Sequence, residues 1–161
     1  MNIETALKEA MNIEGAVGAA LVDWESGMPL GTLGGGKYLD LELAAAGNTE
    51  VVRAKMRTMQ SLNLNDTIED ILITLTRQYH LIRLLGNTGG THSLFLYLAL
   101  DRSKANLALA RHHLKRIENE LEICSRRANL RGRPGRHPGG GNAARPGRSV
   151  DSVALTIGDR R

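Results

Sequence analysis

Residues 67–101 read TIEDILITLTRQYHLIRLLGNTGGTHSLFLYLALD, and this stretch decides the fold. It holds three apolar runs of strand length, 67–76, 79–85 and 92–101, rich in Ile, Leu and Thr. Arg77-Gln78 leaves room only for a tight hairpin between the first two, and Gly86-Asn87-Thr88-Gly89-Gly90 is turn chemistry for the next connection. The pattern predicts an antiparallel meander of three strands.

Helices flank the meander. Downstream, Leu107, Ala110, Leu114, Ile117, Leu121 and Cys124 step by three and four, and Ser103 is the expected cap of that helix. Upstream, residues 40–62 open with Asp40 as N-cap and carry Ala45, Val52, Met56 and Met59 along one helical face. Glu42, Glu50, Arg53, Lys55 and Arg57 are left for solvent, and Gly47-Asn48 is a weak point in this helix. Before it, GAVGAALVDW at residues 15–24 and residues 28–33 read as a hairpin turned by Glu25-Ser26-Gly27. Pro29 lacks the N–H that a central strand needs, so the second of these strands belongs at a sheet edge. Ile3, Ala6, Leu7 and Ala10 give a short first helix that Gly15 ends. The order is α-β-β-α-β-β-β-α: an α+β fold with a five-stranded, mostly antiparallel sheet and helices on both faces.

The 161 residues are 42% hydrophobic and 24% charged, which suffices for one packed core. Charge is divided along the chain. Residues 1–125 hold twelve basic and fifteen acidic side chains, whereas residues 126–161 hold nine arginines and two aspartates. The latter segment also carries three of the four prolines and the run Gly139-Gly140-Gly141, so it is expected to be a disordered basic tail on a folded domain of residues 1–125. Val153, Leu155 and Ile157 alternate near its end, a pattern open to a short linear segment or a frayed terminus. A lone cysteine, no long apolar span, and Glu4, Lys8, Glu9 and Glu14 dispersed among the first apolar positions predict a soluble cytoplasmic protein.

Little in the sequence points to catalysis. Residues 31–38, GTLGGGKY, approach the phosphate-cradling loop G-x-x-x-x-G-K, but Tyr38 stands where a magnesium-binding Ser or Thr belongs and the preceding strand lies in a hairpin. His112 and His113 are adjacent on a helix and diverge, while His80 and His92 lack a carboxylate or thiolate cluster. Cys124 falls on an apolar stripe, and Glu118, Glu120 and Glu122 fan around their helix. No catalytic residue, cofactor or metal is therefore expected, and the chain reads as a non-enzyme. A small-molecule sensor is a third class, although no polar cluster inside an apolar pocket marks it.

Two segments carry a family resemblance. The run from Gly15 to Asp23, closing in the Ser26-Gly27 turn, and DRSKANLALAR at residues 101–111 resemble the roadblock/LC7 family of dynein light chains and bacterial GTPase regulators, over about residues 1–123. The resemblance implies a homodimer in which the strand after the middle helix pairs with its twin and the middle helices pack across the two-fold axis. It also implies a partner, a small Ras-like GTPase whose nucleotide state or location the dimer adjusts. Edge physics agrees with the first implication: Ile71, Ile73 and Leu75 fall on one face of residues 67–76 and Ile68 and Leu72 on the other, with only Glu69 and Asp70 to discourage pairing. Met56 and Met59 are candidates for the same contact, with the monomer core as the other reading. Arg53, Arg57 and Arg77 are candidates, by residue type, for the partner surface. In an alternative reading, the chain is an adaptor whose Arg131, Arg133, Arg136, Arg145 and Arg148 contact nucleic acid or an anionic membrane.

Overall fold

The computed structural model describes residues 1–86 and 93–121. Helix α1 (Ile3–Met11) is capped by Asn2, whose side chain accepts from the Thr5 N–H at 2.8 Å. Strands β1 (Ala16–Asp23) and β2 (Met28–Gly34) form the first hairpin. A single 3-10 turn (Gly36–Tyr38) leads to helix α2 (Leu41–Ser61), where the Asp40 carboxylate accepts from the N–H groups of Glu42 and Leu43, each at 3.0 Å. Strands β3 (Asp70–Thr74), β4 (Gln78–Leu84) and β5 (Leu94–Asp101) and helix α3 (Leu107–Glu120) complete the chain's described elements.

The five strands lie in the order β2-β1-β5-β4-β3, and every neighbouring pair is antiparallel. Both sequence-read edges hold: β2 with Pro29 is one rim and β3 the other. The crossover through α2 carries the chain from one rim to the opposite one, and the meander then returns inward until β5 lies against β1.

Period-two alternation distributes the core between two faces. Ala19, Leu21, Leu81, Leu94, Leu96, Leu98 and Leu100 meet Ala6, Leu7 and Ala10 of α1 and Ala110, Leu114 and Ile117 of α3. Ala20, Val22, Ile82, Leu84, Phe95, Tyr97 and Ala99 meet Leu41, Ala45 and Val52 of α2. Because β5 is covered on both faces, it reads as a continuous apolar run.

Three details depart from the sequence reading. Ser103 does not cap α3; its hydroxyl and N–H both donate to the Asp101 carboxylate, at 2.7 and 2.9 Å, and Asn106 caps the helix by accepting from the Leu109 N–H. The chain needs the turn at 101–105 before it can start a helix, since the N–H groups of Lys104 and Ala105 both return to the Asp101 carbonyl. The first meander strand is shorter than residues 67–76, because its ladder with β4 spans Asp70 to Thr74, with single backbone bonds at Glu69 and Leu75 closing its ends. Ile68, lying before the strand, consequently packs with Ile71 on the α2 side and not on the face of Leu72. Finally, α2 runs unbroken through Gly47-Asn48.

Gly34, Gly35 and Gly36 all have positive φ, of 80°, 83° and 63°. A Cβ on Gly35 would lie 2.5 Å from the Leu39 carbonyl oxygen, so this bend from β2 toward α2 requires glycine for space as well as for torsion.

Candidate interaction surface

The β3 rim is a short strand with an open backbone. Leu84 N–H donates to the Glu69 carbonyl and Leu75 N–H to the Gln78 carbonyl, which fixes the alternation: 69, 71, 73 and 75 turn their amide groups toward β4. The N–H and C=O groups of Asp70, Leu72 and Thr74 therefore point outward. Ile71, Leu72 and Ile73 are half-buried and Leu75 is exposed, so both faces of the rim carry aliphatic surface.

Behind this rim lies a charged network. Arg83 alternates with Leu81 and Leu85 and faces the core, where it is only 6% exposed. Its Nε donates to Glu118 of α3 at 2.9 Å, and its Nη1 lies 3.6 Å from Asp70 and 3.9 Å from Glu69. Arg111, also on α3, donates to both Asp70 carboxylate oxygens at 3.0 and 3.2 Å. Asp70 is thus flanked by two guanidinium groups of its own chain, which leaves Glu69 as the rim's exposed charge. Sequence reasoning passed over Arg83, although a charge at an inward strand position is itself the signal of a buried ion pair.

On the opposite face, α2 contributes Asn48 and Thr49 to its buried side. Thr49 donates to the Ala45 carbonyl, and burial pushes the pKa of the Tyr97 hydroxyl up to about 12, a rise that the nearby Asn48 amide opposes in part. The same hydroxyl lies 3.2 Å from Nδ1 of His80, whose Nε2 lies 2.9 Å from the Gln78 side chain. Desolvation holds the His80 pKa below its usual value. A polar chain from α2 through β5 to β4 therefore occupies the place that looked like a weak point in the helix. The outer side of α2 shows Leu43, 72% exposed, and Val51, with open space around Gly47 between them.

The arginine candidates are placed differently from one another. Arg53 is engaged: its Nε donates to the Trp24 carbonyl at 3.0 Å, its Nη2 to the Glu25 carbonyl, and its Nη1 to Glu50 at 3.1 Å. It clamps the β1–β2 turn to α2. Arg57 is exposed on α2, and Arg77 is exposed at the β3–β4 turn. Met56 packs partly against the α2-side core, and Met59 is half-buried further along the helix. Arg131, Arg133, Arg136, Arg145 and Arg148 lie outside the described residues, as do His92 and Cys124. Lys37 lies over the ring of the exposed Tyr38, 5.9 Å from its centroid, beside an α2 N-terminus already capped by Asp40. Among the described residues, no group of three or more His, Cys, Asp or Glu is placed to hold a metal, and no helix is long and apolar enough to cross a membrane.

No family model and no curated protein matches the chain. Among solved structures, the roadblock/LC7 domain from Streptomyces avermitilis aligns with a TM-score of 0.61 over 74% of this chain and 94% of that one, at 10% identity. The chain has the roadblock/LC7 fold. MglB of Myxococcus xanthus shares it at a TM-score of 0.58 and 18% identity, over 72% of this chain and 85% of that one. An MglB solved in a tetrameric arrangement shares it at 0.61 and 21%, over 73% and 82%. In the roadblock/LC7 frame of this chain, β3 and the outer side of α2 are among the apolar surfaces left beside the described core, with Met28, Leu30 and Leu33 of β2 on the opposite rim.

Proposed function

We propose that this protein is a homodimeric, non-catalytic regulator that binds a small Ras-like GTPase and adjusts its nucleotide state or location. The observation that carries the first half is the β3 rim: outward amide groups at Asp70, Leu72 and Thr74, aliphatic faces, and a carboxylate already held by Arg83 and Arg111. An edge whose one exposed charge, Glu69, stands before the strand begins is a template for another strand, and an isologous contact is the commonest way to satisfy it. Antiparallel pairing about Leu72 sets Asp70 opposite Thr74 of the twin and brings Ile71 and Ile73 into one apolar row. In this reading Ile68, Leu75, Met56 and Met59 border the contact, and Leu43 and Val51 extend it along α2.

The second half rests on the fold shared with MglB and on the family resemblance of residues 15–27 and 101–111. Arg57 and Arg77 are the exposed arginines available to such a partner, Arg53 being tied to its own chain. Residues 1–125 act as the folded module, and residues 126–161 as an appended basic segment. The test is light scattering of the full chain, alone and mixed with a Ras-like GTPase encoded beside its gene, loaded with GDP or a GTP analogue. The expected result is a species of twice the 17.5 kDa chain mass that grows with one nucleotide form. A monomer indifferent to both forms removes the reading and moves the search to the arginine-rich segment.

A further inference from the structure

At the end of the sheet where β4 begins and β5 ends, an open cleft of about 710 Å³ is lined by Val17, Thr76, Arg77, Gln78, Asp101, Arg102 and Ser103. Two connections build it. The Arg102 N–H donates to the Arg77 carbonyl at 3.0 Å, so the β3–β4 turn and the β5–α3 turn are fastened together and their two arginines share one wall. Arg102 is held in place: its Nη1 donates to the Leu75 carbonyl at 2.8 Å, and its guanidinium lies over the Tyr79 ring at 5.0 Å from the centroid. Arg77 is exposed, and neither arginine has a carboxylate within ion-pair distance among the described residues.

The one acid in the cleft is already engaged. Asp101 accepts both the hydroxyl and the N–H of Ser103, and these bonds, with help from nearby Lys104, hold its carboxyl below the usual range. The lining holds two cations, Arg77 and Arg102, against one hydrogen-bonded carboxylate, with the hydroxyl of Thr76 and the amide of Gln78 beside them. Residues with donor groups line the cleft from the two turns and from the start of β4, a composition suited to an anion with acceptor oxygens in several directions. A paired carboxylate is planar and single-charged; a diphosphate offers tetrahedral oxygens and the charge to match two guanidinium groups.

We propose that this cleft is an oxyanion site that takes a diphosphate group, supplied either as free pyrophosphate or as the phosphates of a nucleoside diphosphate. Anion binding here requires neither β3 pairing nor a GTPase partner, although Arg77 is also one of the arginines open to such a partner. It gives Arg77 a role as one arm of a clamp whose other arm, Arg102, is preset by Leu75 and Tyr79.

The test is amide NMR of the full chain titrated with pyrophosphate, with GDP, and with inorganic phosphate at low and moderate salt. The local readout, the amides of Arg77, Gln78, Arg102 and Ser103, separates this cleft from the arginine-rich segment. Pyrophosphate is expected to shift these amides saturably, more tightly than inorganic phosphate, and to weaken with added salt. Arg77→Gln removes a side chain with no hydrogen bond in the described fold and is expected to raise the dissociation constant about tenfold or more. Equal binding of GDP and pyrophosphate assigns recognition to the phosphates, and tighter GDP binding adds a nucleoside contact within the same cleft. Silence of these amides at low salt, or an unchanged response in Arg77→Gln, overturns the proposal.

Discussion

Replacing Arg83 by leucine should be the most damaging single change to the sheet-to-α3 contact, and its cost follows from what the arginine leaves behind. Its principal partners are themselves shielded, with side-chain exposures of 12% for Glu118 and 16% for Asp70. Removing one member of such a buried pair costs about 3–5 kcal/mol, because a carboxylate remains desolvated without its cation. Asp70 keeps Arg111, so the loss falls on Glu118, which retains only a 3.3 Å bond from the Gly86 N–H. Against a typical domain stability of about 5–15 kcal/mol the variant would survive weakened. Its melting midpoint should fall on the order of 10–20 °C at this domain size. The diagnostic variant is the double change Arg83→Leu with Glu118→Leu, which removes both charges and puts apolar volume in their place. It should recover most of the loss, to within roughly 1 kcal/mol of the parent. Urea unfolding followed by circular dichroism, at one fixed protein concentration, measures all four corners of the cycle. If Arg83→Leu alone costs under about 1 kcal/mol, or if the second change deepens the loss, the view of Arg83 as a desolvated counter-charge is wrong.

Thr74→Pro removes an outward N–H from the β3 rim without touching the β4 ladder, so scattering should show half the parental mass while far-ultraviolet circular dichroism is retained. Desolvation lowers the folded-state pKa of His80 below the reference value of 6.5, so the unfolded chain takes up a proton at a pH where the native chain resists it. That contribution is present above pH about 6.5 and is lost as pH falls through the folded pKa; His80→Gln should flatten the slope of stability between pH 7 and about 5, and an unchanged slope would assign it to other groups. Gly35→Ala combines positive φ with a Cβ 2.5 Å from the Leu39 oxygen and should cost about 2–3 kcal/mol, whereas Gly36→Ala meets open space and should cost about 1 kcal/mol. Thermal melts of the two variants would refute the argument from space and torsion at Gly35 by coinciding.

The architecture was legible because the strands and helices differ in period and are separated by glycine, proline and Asp40. Pro29 placed β2 at a rim, and the family resemblance implied that β3 is the other, both as found. What the sequence concealed are side chains whose partners are distant. Arg83 meets Glu118 thirty-five positions away, and Asn48 lies near a tyrosine on β5, so neither pairing leaves a local spacing to read. Ser103 illustrates the opposite difficulty: its capping chemistry is real but is directed at Asp101, because a turn at 101–105 stands between β5 and the start of α3. Arg102 is the second residue of the 101–111 segment that carries the family resemblance, and only folding brings it to the same cleft wall as Arg77.

The far rim, β2, governs how large an assembly can become. A sheet that joined its twin along one margin and kept an equally adhesive second margin would go on adding copies at both ends, as a fibril does. Met28, Leu30 and Leu33 make that second margin greasy enough for the hazard to be real. Pro29 withholds an N–H, the ladder slips register between Leu21 and Val22, and Gly34 turns the chain out of extended geometry at the strand's end. A strand interrupted in this way is a poor template, so growth by edge addition has a terminus written into the same hairpin that begins the sheet.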